Sequence, residues 1–316
     1  MAGALAALTA WTALSGLWSP DPGDSLLEAQ RTLVYLAFVL ATAAVAGSLR
    51  SGVLAGIGVV CAYAIGQRLL EGPPDPPDPF EGTLLQEPLG YANGLGCLAA
   101  IGLAIVISQL ISDRRLRLHG PLVCIFLATL YLTGSRGGWL AALVGTAVAL
   151  ALGSGRLRLA RAAAAVAAIG LAAALSLPAG SLADELATRA GDRPWYWNVA
   201  WEEVANAPLT GKGAGTFDLA WLERQPIPAQ VADAHSLYLE LLAELGLVGL
   251  GLLALALAPP LVAAFRGADA AAAGGYVAFL VHAGVDWDWE LPAVTVAGLA
   301  CGVALLARER ASYVLE

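Results

Sequence analysis

Residues 236–263, SLYLELLAELGLVGLGLLALALAPPLVA, form a run of twenty-eight positions with two charged side chains, Glu240 and Glu244. About 20 apolar residues cross the hydrocarbon core of a bilayer, so this run spans one with enough left over to tilt or project. The two carboxylates stand four residues apart, on one helical face, close to the preceding Asp233-Ala234-His235. The fold is therefore expected to be built from membrane-spanning helices, with chemistry where those helices meet water.

The rest of the chain agrees. Apolar residues make up 58% of the 316, charged residues 13%, and mean hydropathy is +0.70, whereas soluble domains carry about 25% charged residues. Ten runs approach spanning length: roughly 2–18, 32–49, 51–70, 90–111, 120–134, 137–153, 162–180, 236–263, 269–285 and 291–307. The run at 2–18 is the weakest, but it has neither a basic lead-in nor a soluble domain after it, as a signal peptide would. The expected fold is an all-α polytopic bundle of about ten spans. It is one integral membrane domain over 1–316, with a large structured outer loop at 183–234.

Basic residues orient the spans. With a cytoplasmic N-terminus, inner segments take Arg50, then Arg114, Arg115 and Arg117, then Arg156, Arg158 and Arg161, then Arg266, Arg308 and Arg310, ten of the seventeen basic residues. Outer segments take Asp21, Asp24 and Glu28, the proline-rich 71–88, the 183–234 loop, and Asp286-Trp287-Asp288-Trp289-Glu290. Both termini are then cytoplasmic. Trp18, Trp139, Trp287 and Trp289 fall near outer span ends, as an aromatic belt would. The net charge of −8 reflects the acidic outer loops, so it signals no nucleic-acid partner. Cys61, Cys97, Cys124 and Cys301 lie apart within apolar runs and read as small buried side chains. Small residues such as those in Gly52–Gly58 favour close helix contacts.

Proline crowding keeps 71–88 from being helical, so it reads as a stiff connector or the wall of an outer cavity. In the long loop, Pro194 suits a first helical turn, and Trp197, Ala200, Trp201 and Val204 follow at helical spacing. That pattern, ended by Pro208 and Gly211, predicts an amphipathic helix at the outer interface, or one packed on the bundle. Gly211-Lys212-Gly213-Ala214-Gly215-Thr216-Phe217 has the look of a phosphate loop. It lacks the preceding strand and the Lys-Ser/Thr pair, so it reads instead as a turn that admits close backbone approach.

Four stretches carry a resemblance. Gly134-Ser135-Arg136-Gly137-Gly138-Trp139-Leu140 opens a span. Arg193 and Trp197 are followed by Pro208-x-x-Gly211-x-Gly213-x-Gly215-x-Phe217. Ala234-His235-Ser236-x-Tyr238-Leu239 continues to Glu244-x-Gly246-x-x-Gly249. His282-x-x-x-Asp286 with Pro292 forms the fourth, and Tyr91-Ala92-Asn93 is a weaker fifth. Together, over about residues 10–307, these resemble the O-antigen ligase and polymerase-like membrane proteins. The chain departs from them at Ser236, where the family usually has Asn, and is one or two spans shorter at its N-terminus. The resemblance implies a class C glycosyltransferase-like architecture in the bacterial cytoplasmic membrane. It implies transfer of a glycan from an undecaprenyl-diphosphate-linked donor to a glycan, lipid or protein acceptor on the outer face, inverting the anomeric centre without a metal or other cofactor.

The residues themselves suit that chemistry. Arg136 and Arg193 are candidates to hold the diphosphate, with Arg189 one helical turn earlier as a competitor and Lys212 and Arg224 adding positive field. The alternative for such arginines is snorkelling to lipid headgroups. His235 is the candidate general base, and His282, one turn from Asp286, is the second choice. Asn93 and Asp286 are supporting candidates, and His119 falls on the cytoplasmic side. A metal reading would gather Asp233, His235, His282, Asp286 and Asp288, but no ligand spacing supports it. A small-solute transporter, with Glu240 and Glu244 on its path, is the rival from another class; broken helices and internal repeats are not evident in the sequence. A non-catalytic scaffold of a polysaccharide assembly complex is a third reading.

Overall fold

The computed structural model describes residues 1–113, 116–153, 167, 169, 191–267 and 269–314. Apart from 167 and 169, the expected span at 162–180 lies outside them, as do Arg114, Arg115, Arg156, Arg158, Arg161 and Arg189. The described residues are helical, with no strand beyond one isolated bridge between Asp78 and Gly82. In order they form α1 (Ala2–Ser15), α2 (Pro22–Thr42), α3 (Ala46–Glu71), α4 (Ala92–Asp113), α5 (Leu116–Thr133) and α6 (Arg136–Leu152). Then follow α7 (Arg193–Asn206), α8 (Phe217–Arg224), α9 (Leu237–Phe265), α10 (Ala270–Ala283) and α11 (Pro292–Val314). The other nine apolar runs each overlap a helix. Three stretches are long and apolar enough to cross a membrane on their own: Pro22–Glu71, Ala92–Ser112 and Leu237–Phe265. The run at 32–49 is not one helix, because a 3₁₀ turn at Ala43–Val45 separates α2 from α3.

The described residues group into two compact units. One draws its described residues from 1–40, 191–259 and 283–292; the other draws them from 41–153, 167, 169, 260–282 and 293–314. In the second unit α4 is the central helix, with Leu95, Cys97 and the run from Leu98 to Val106 buried, Gly102 among them. Close approach comes from glycine. A Cβ on Gly96 would lie 2.6 Å from Ser135, one on Gly102 2.7 Å from the Phe126 ring, and one on Gly145 2.5 Å from the Gly274 carbonyl. The expected Gly52–Gly58 contact is largely absent: Gly52 and Gly56 face open space, and only Gly58 meets a neighbour, Leu122. Cys61, Cys97 and Cys301 are buried as expected, but Cys124 is exposed.

The first unit is organised around a break in α9. Gly246 is non-helical at φ +66°. The backbone of the preceding loop fills the gap: the Leu247 and Val248 N–H groups donate to Pro208 and Leu209, and the Gly213 N–H donates to Glu244 O at 2.8 Å. Contact is so close that a Cβ on Gly211 would fall 2.1 Å from the Glu244 backbone, and one on Gly246 2.2 Å from Leu209. A broken helix, not evident in the sequence, is therefore present. Its freed polar groups are met by protein, where a transport path would offer them to solvent or cargo.

The long loop has its own core. Tyr196, Val199 and Ala200 of α7 pack with Phe217, Ala220 and Trp221 of α8, Ala234 and Ala243. The predicted helix at Pro194 is present; of its expected stripe Ala200 is buried and Trp197 and Val204 pack partly buried against this core, while Trp201 is exposed and Tyr196, Val199 and Glu203 are buried beside them. Glu203 is tolerated inside because Arg224 pairs with it. Of the tryptophans expected at outer span ends, Trp18 is exposed. Trp139 and Trp289 are buried, Trp289 edge-on against Tyr35, whose hydroxyl donates to its carbonyl.

Candidate functional site

The loop exit at His235 is held from several directions. Its backbone lies at φ +53°, a left-handed conformation found at no other non-glycine among the described residues. The N–H of Ala234 donates to Glu240 Oε2 at 2.7 Å, and the Glu240 N–H donates to Ser236 O at 2.9 Å, so the start of α9 fixes the turn. The imidazole sits 5.1 Å from the Tyr196 ring and 6.4 Å from Trp287, centroid to centroid. Its Nδ1 lies 3.0 Å from the Asp233 carbonyl oxygen. A carbonyl only accepts, so Nδ1 carries the hydrogen and the neutral ring keeps its lone pair on Nε2. Burial pulls its pKa below the ordinary imidazole value and Arg193 adds to this, against the Asp233 hydrogen bond and the Asp286 charge. The ring is therefore neutral at pH 7.

Arg193, at the first position of α7, donates through one terminal nitrogen to Asp286 Oδ2 at 2.9 Å. Asp286 is 1% exposed and also accepts from the Trp287 N–H through Oδ1 at 3.0 Å. Asp286, expected as a supporting residue, is thus the partner of Arg193. Arg193 has a carboxylate already in hand, which narrows its expected phosphate role to its remaining N–H groups. Arg224 is taken up by Glu203, which removes it from the expected supporting field.

Glu240 and Glu244 are structural acceptors. Glu244 Oε2 accepts from Gly215 N–H at 2.8 Å, and Oε1 from Thr216 and Phe217 N–H at 2.9 and 3.0 Å. The glycine-rich turn does converge its N–H groups on one acceptor, and that acceptor is the chain's own Glu244 carboxyl group. Ser15 and Ser25 hold the same turn from α1 and α2, through the Ala214 N–H at 3.0 Å and the Ala214 carbonyl at 2.7 Å.

Sequence reasoning missed a carboxylate cluster. Oxygens of Asp233, Glu240 and Glu290 all lie within 4.8 Å of one another. Arg31, from α2, pairs with Glu28 and lies 3.6 Å from Glu290, so the positive charge there comes from an arginine. These three carboxylates, of which Asp233 is among the weighed residues, have the spacing to hold a cation. Burial raises the Asp233 pKa to about 6, with Arg31 opposing, and raises Glu290 well above the usual carboxylate range. No local motif announces the cluster, because its members are drawn from positions 233, 240 and 290.

In the other unit, Ser135 caps α6 by accepting from the Gly138 N–H at 3.0 Å. Arg136 is the first residue of that helix and is exposed, where the positive end of the helix dipole adds to its charge. At the same end, Asn93 donates to the Tyr91 hydroxyl at 3.0 Å near the start of α4. His282, near the end of α10, is fully buried. His119 is also buried, in the first turns of α5.

Residues 121–254 match the family described as O-antigen ligase. Arg136, Arg193 and His235 fall inside that segment; Asn93, His282 and Asp286 fall outside it. No curated protein matches the chain significantly.

Proposed function

We propose, from the premise that residues 121–254 make this chain O-antigen ligase-like, that it transfers a glycan from an undecaprenyl-diphosphate-linked donor to an acceptor hydroxyl at the outer face of the bacterial cytoplasmic membrane. In this reading the chain has about ten spans in a class C glycosyltransferase-like arrangement, both termini cytoplasmic and residues 183–234 outside. Acceptors are a glycan, lipid or protein hydroxyl.

The observation that carries the reading is the His235 turn, with its Nδ1–H spent on the Asp233 carbonyl and a neutral ring. The acceptor oxygen attacks the anomeric carbon from the face opposite the diphosphate. The C–O bond to the carrier breaks, the configuration inverts, and undecaprenyl diphosphate leaves with the bonding pair. The acceptor proton passes to His235 Nε2 as the new bond forms. Arg136 and the open side of Arg193 offset the charge that grows on the leaving diphosphate, so neither a metal nor a strong acid is required. Arg189 and His282 remain secondary candidates for the diphosphate and base roles, and Asp286 acts by positioning Arg193. Mass analysis of cell-surface glycans with and without the intact gene tests this directly. Loss of one lipid- or protein-linked glycan, with its lipid-linked precursor accumulating, is expected; an unchanged glycan profile would refute the proposal.

A further inference from the structure

The end of the second unit that presents Arg136 also carries a cavity of about 400 Å³, beside the last turn of α3. That volume lies within the range of small-ligand sites, about 300–1,000 Å³. Its polar wall is made by Gln67, Arg68 and Glu71 from the helix and by Asp75, Gln86 and Glu87 from the proline-rich segment; Ala64 and Leu85 give it an apolar floor. The wall is fixed in place. Arg68 donates to the Leu84 carbonyl at 2.9 Å, and the buried Leu85 donates its N–H to Leu132 O at 3.0 Å. A Cβ on Gly134 would stand 3.2 Å from Leu84. The segment that walls the cavity thus packs on the turn from which α6 starts at Arg136.

The wall is rich in acceptors. Gln67 donates to Glu71 at 3.2 Å, which leaves its Oε1 buried and without a hydrogen-bonding partner among the described residues. Glu71, Asp75 and Glu87 outnumber Arg68, one of whose nitrogens is already given to backbone. Such a site favours a ligand that donates hydrogen bonds, has apolar C–H faces, and carries no negative charge. A phosphate or uronic acid is repelled; a hydroxyl-rich neutral sugar fits each requirement.

We propose that this cavity binds uncharged sugar units of a glycan chain beside Arg136, as a subsite separate from the diphosphate. The assignment to a glycan rests on the transfer reading above. The test uses the purified full chain in nanodiscs and saturation-transfer NMR with three probes: maltohexaose, chitotetraose and oligogalacturonate. Transfer to at least one neutral probe is expected, with little to the anionic one. Loss of one hydrogen bond weakens binding about fivefold, so Gln67→Leu and Glu87→Ala should each weaken the signal at least that much. Glu87 is exposed in a loop, so its variant keeps the test valid if Gln67→Leu fails to fold. No neutral probe binding, equal binding in both cavity variants, or preference for oligogalacturonate would overturn the proposal. Full glycan transfer by Arg136→Ala would sink the transfer reading instead, and leave sugar binding at the cavity as a separate result.

Discussion

At His235 the backbone turns through φ +53° and the ring gives its Nδ1–H to the Asp233 carbonyl, so the lone pair available to an acceptor lies on Nε2. General-base help is worth about 10²–10⁴ in rate. Both His235→Ala and His235→Gln should lose turnover by that factor, with expression and donor binding retained, in an assay of purified protein; activity restored by Gln would reduce the residue to positioning the acceptor. The pH profile follows from the same environment. Burial lowers the His235 pKa, so the base is ready at pH 7 and turnover should fall only as pH drops below the ordinary 6.5. For stability, a lowered histidine pKa gives a contribution present above 6.5 and lost as pH falls through the folded value. Asp233 has the opposite sign: raised from 3.8 to about 6, it contributes fully below its unfolded value and loses that contribution as pH rises through 6. Acid loss of turnover should therefore precede acid unfolding, and coincident loss of turnover and near-UV circular dichroism would contradict this. Arg136, Arg193 and His235 stand out in the sequence as candidates because few charged or titratable side chains interrupt so apolar a chain. The Arg193–Asp286 pair was not, since its partners are ninety-three residues apart. Arg193→Ala leaves a buried carboxylate without its ion pair, which costs about 2 kcal/mol or more after allowance for the arginine's partial exposure. A thermal shift in detergent reads that loss separately from turnover.

Among the elements, α9 and the glycine-rich turn form one interlocked piece. The turn's N–H groups converge on Glu244, while Gly211 and Gly246 admit backbone where a methyl would lie near 2 Å from its neighbours. Glu244→Ala leaves three backbone donors unpaired, two of them fully inside, each worth about 1–3 kcal/mol. It should unfold the first unit or strongly lower its melting temperature, and Glu244→Gln, which still accepts, should lose less. Equal melting temperatures for Ala and wild type would remove Glu244 from the architecture. The turn's close backbone approach was readable from its glycines. Its occupant was not, because a backbone N–H is the same at every residue. Periodicity placed α7 and three of its four expected core-facing positions; it put Trp201 inside and missed Tyr196 and Glu203, and burial of Glu203 depends on Arg224, twenty-one residues on.

For the whole molecule, composition and apolar run length gave the all-helical class, since both follow from the solvent rather than from particular contacts. The helix-packing glycines were not evident, because Gly52 and Gly102 look alike until Phe126 lies against one of them. The proposed topology predicts, in a cysteine-free background, that Glu223→Cys reacts with an impermeant thiol reagent from outside and Ser48→Cys does not. Reversal of the two would invert every loop assignment. The central claim concerns chemistry, and the most direct measurement of it is transfer by the purified full chain in liposomes, with an undecaprenyl-diphosphate-linked glycan extracted from the host, its native acceptor, and chelator present. The account predicts glycan-bearing acceptor of inverted anomeric configuration and free undecaprenyl diphosphate in equal amounts, with both lost in Arg136→Ala and slowed about 10²–10⁴-fold in His235→Ala. Product that forms at the wild-type rate in both variants would contradict it.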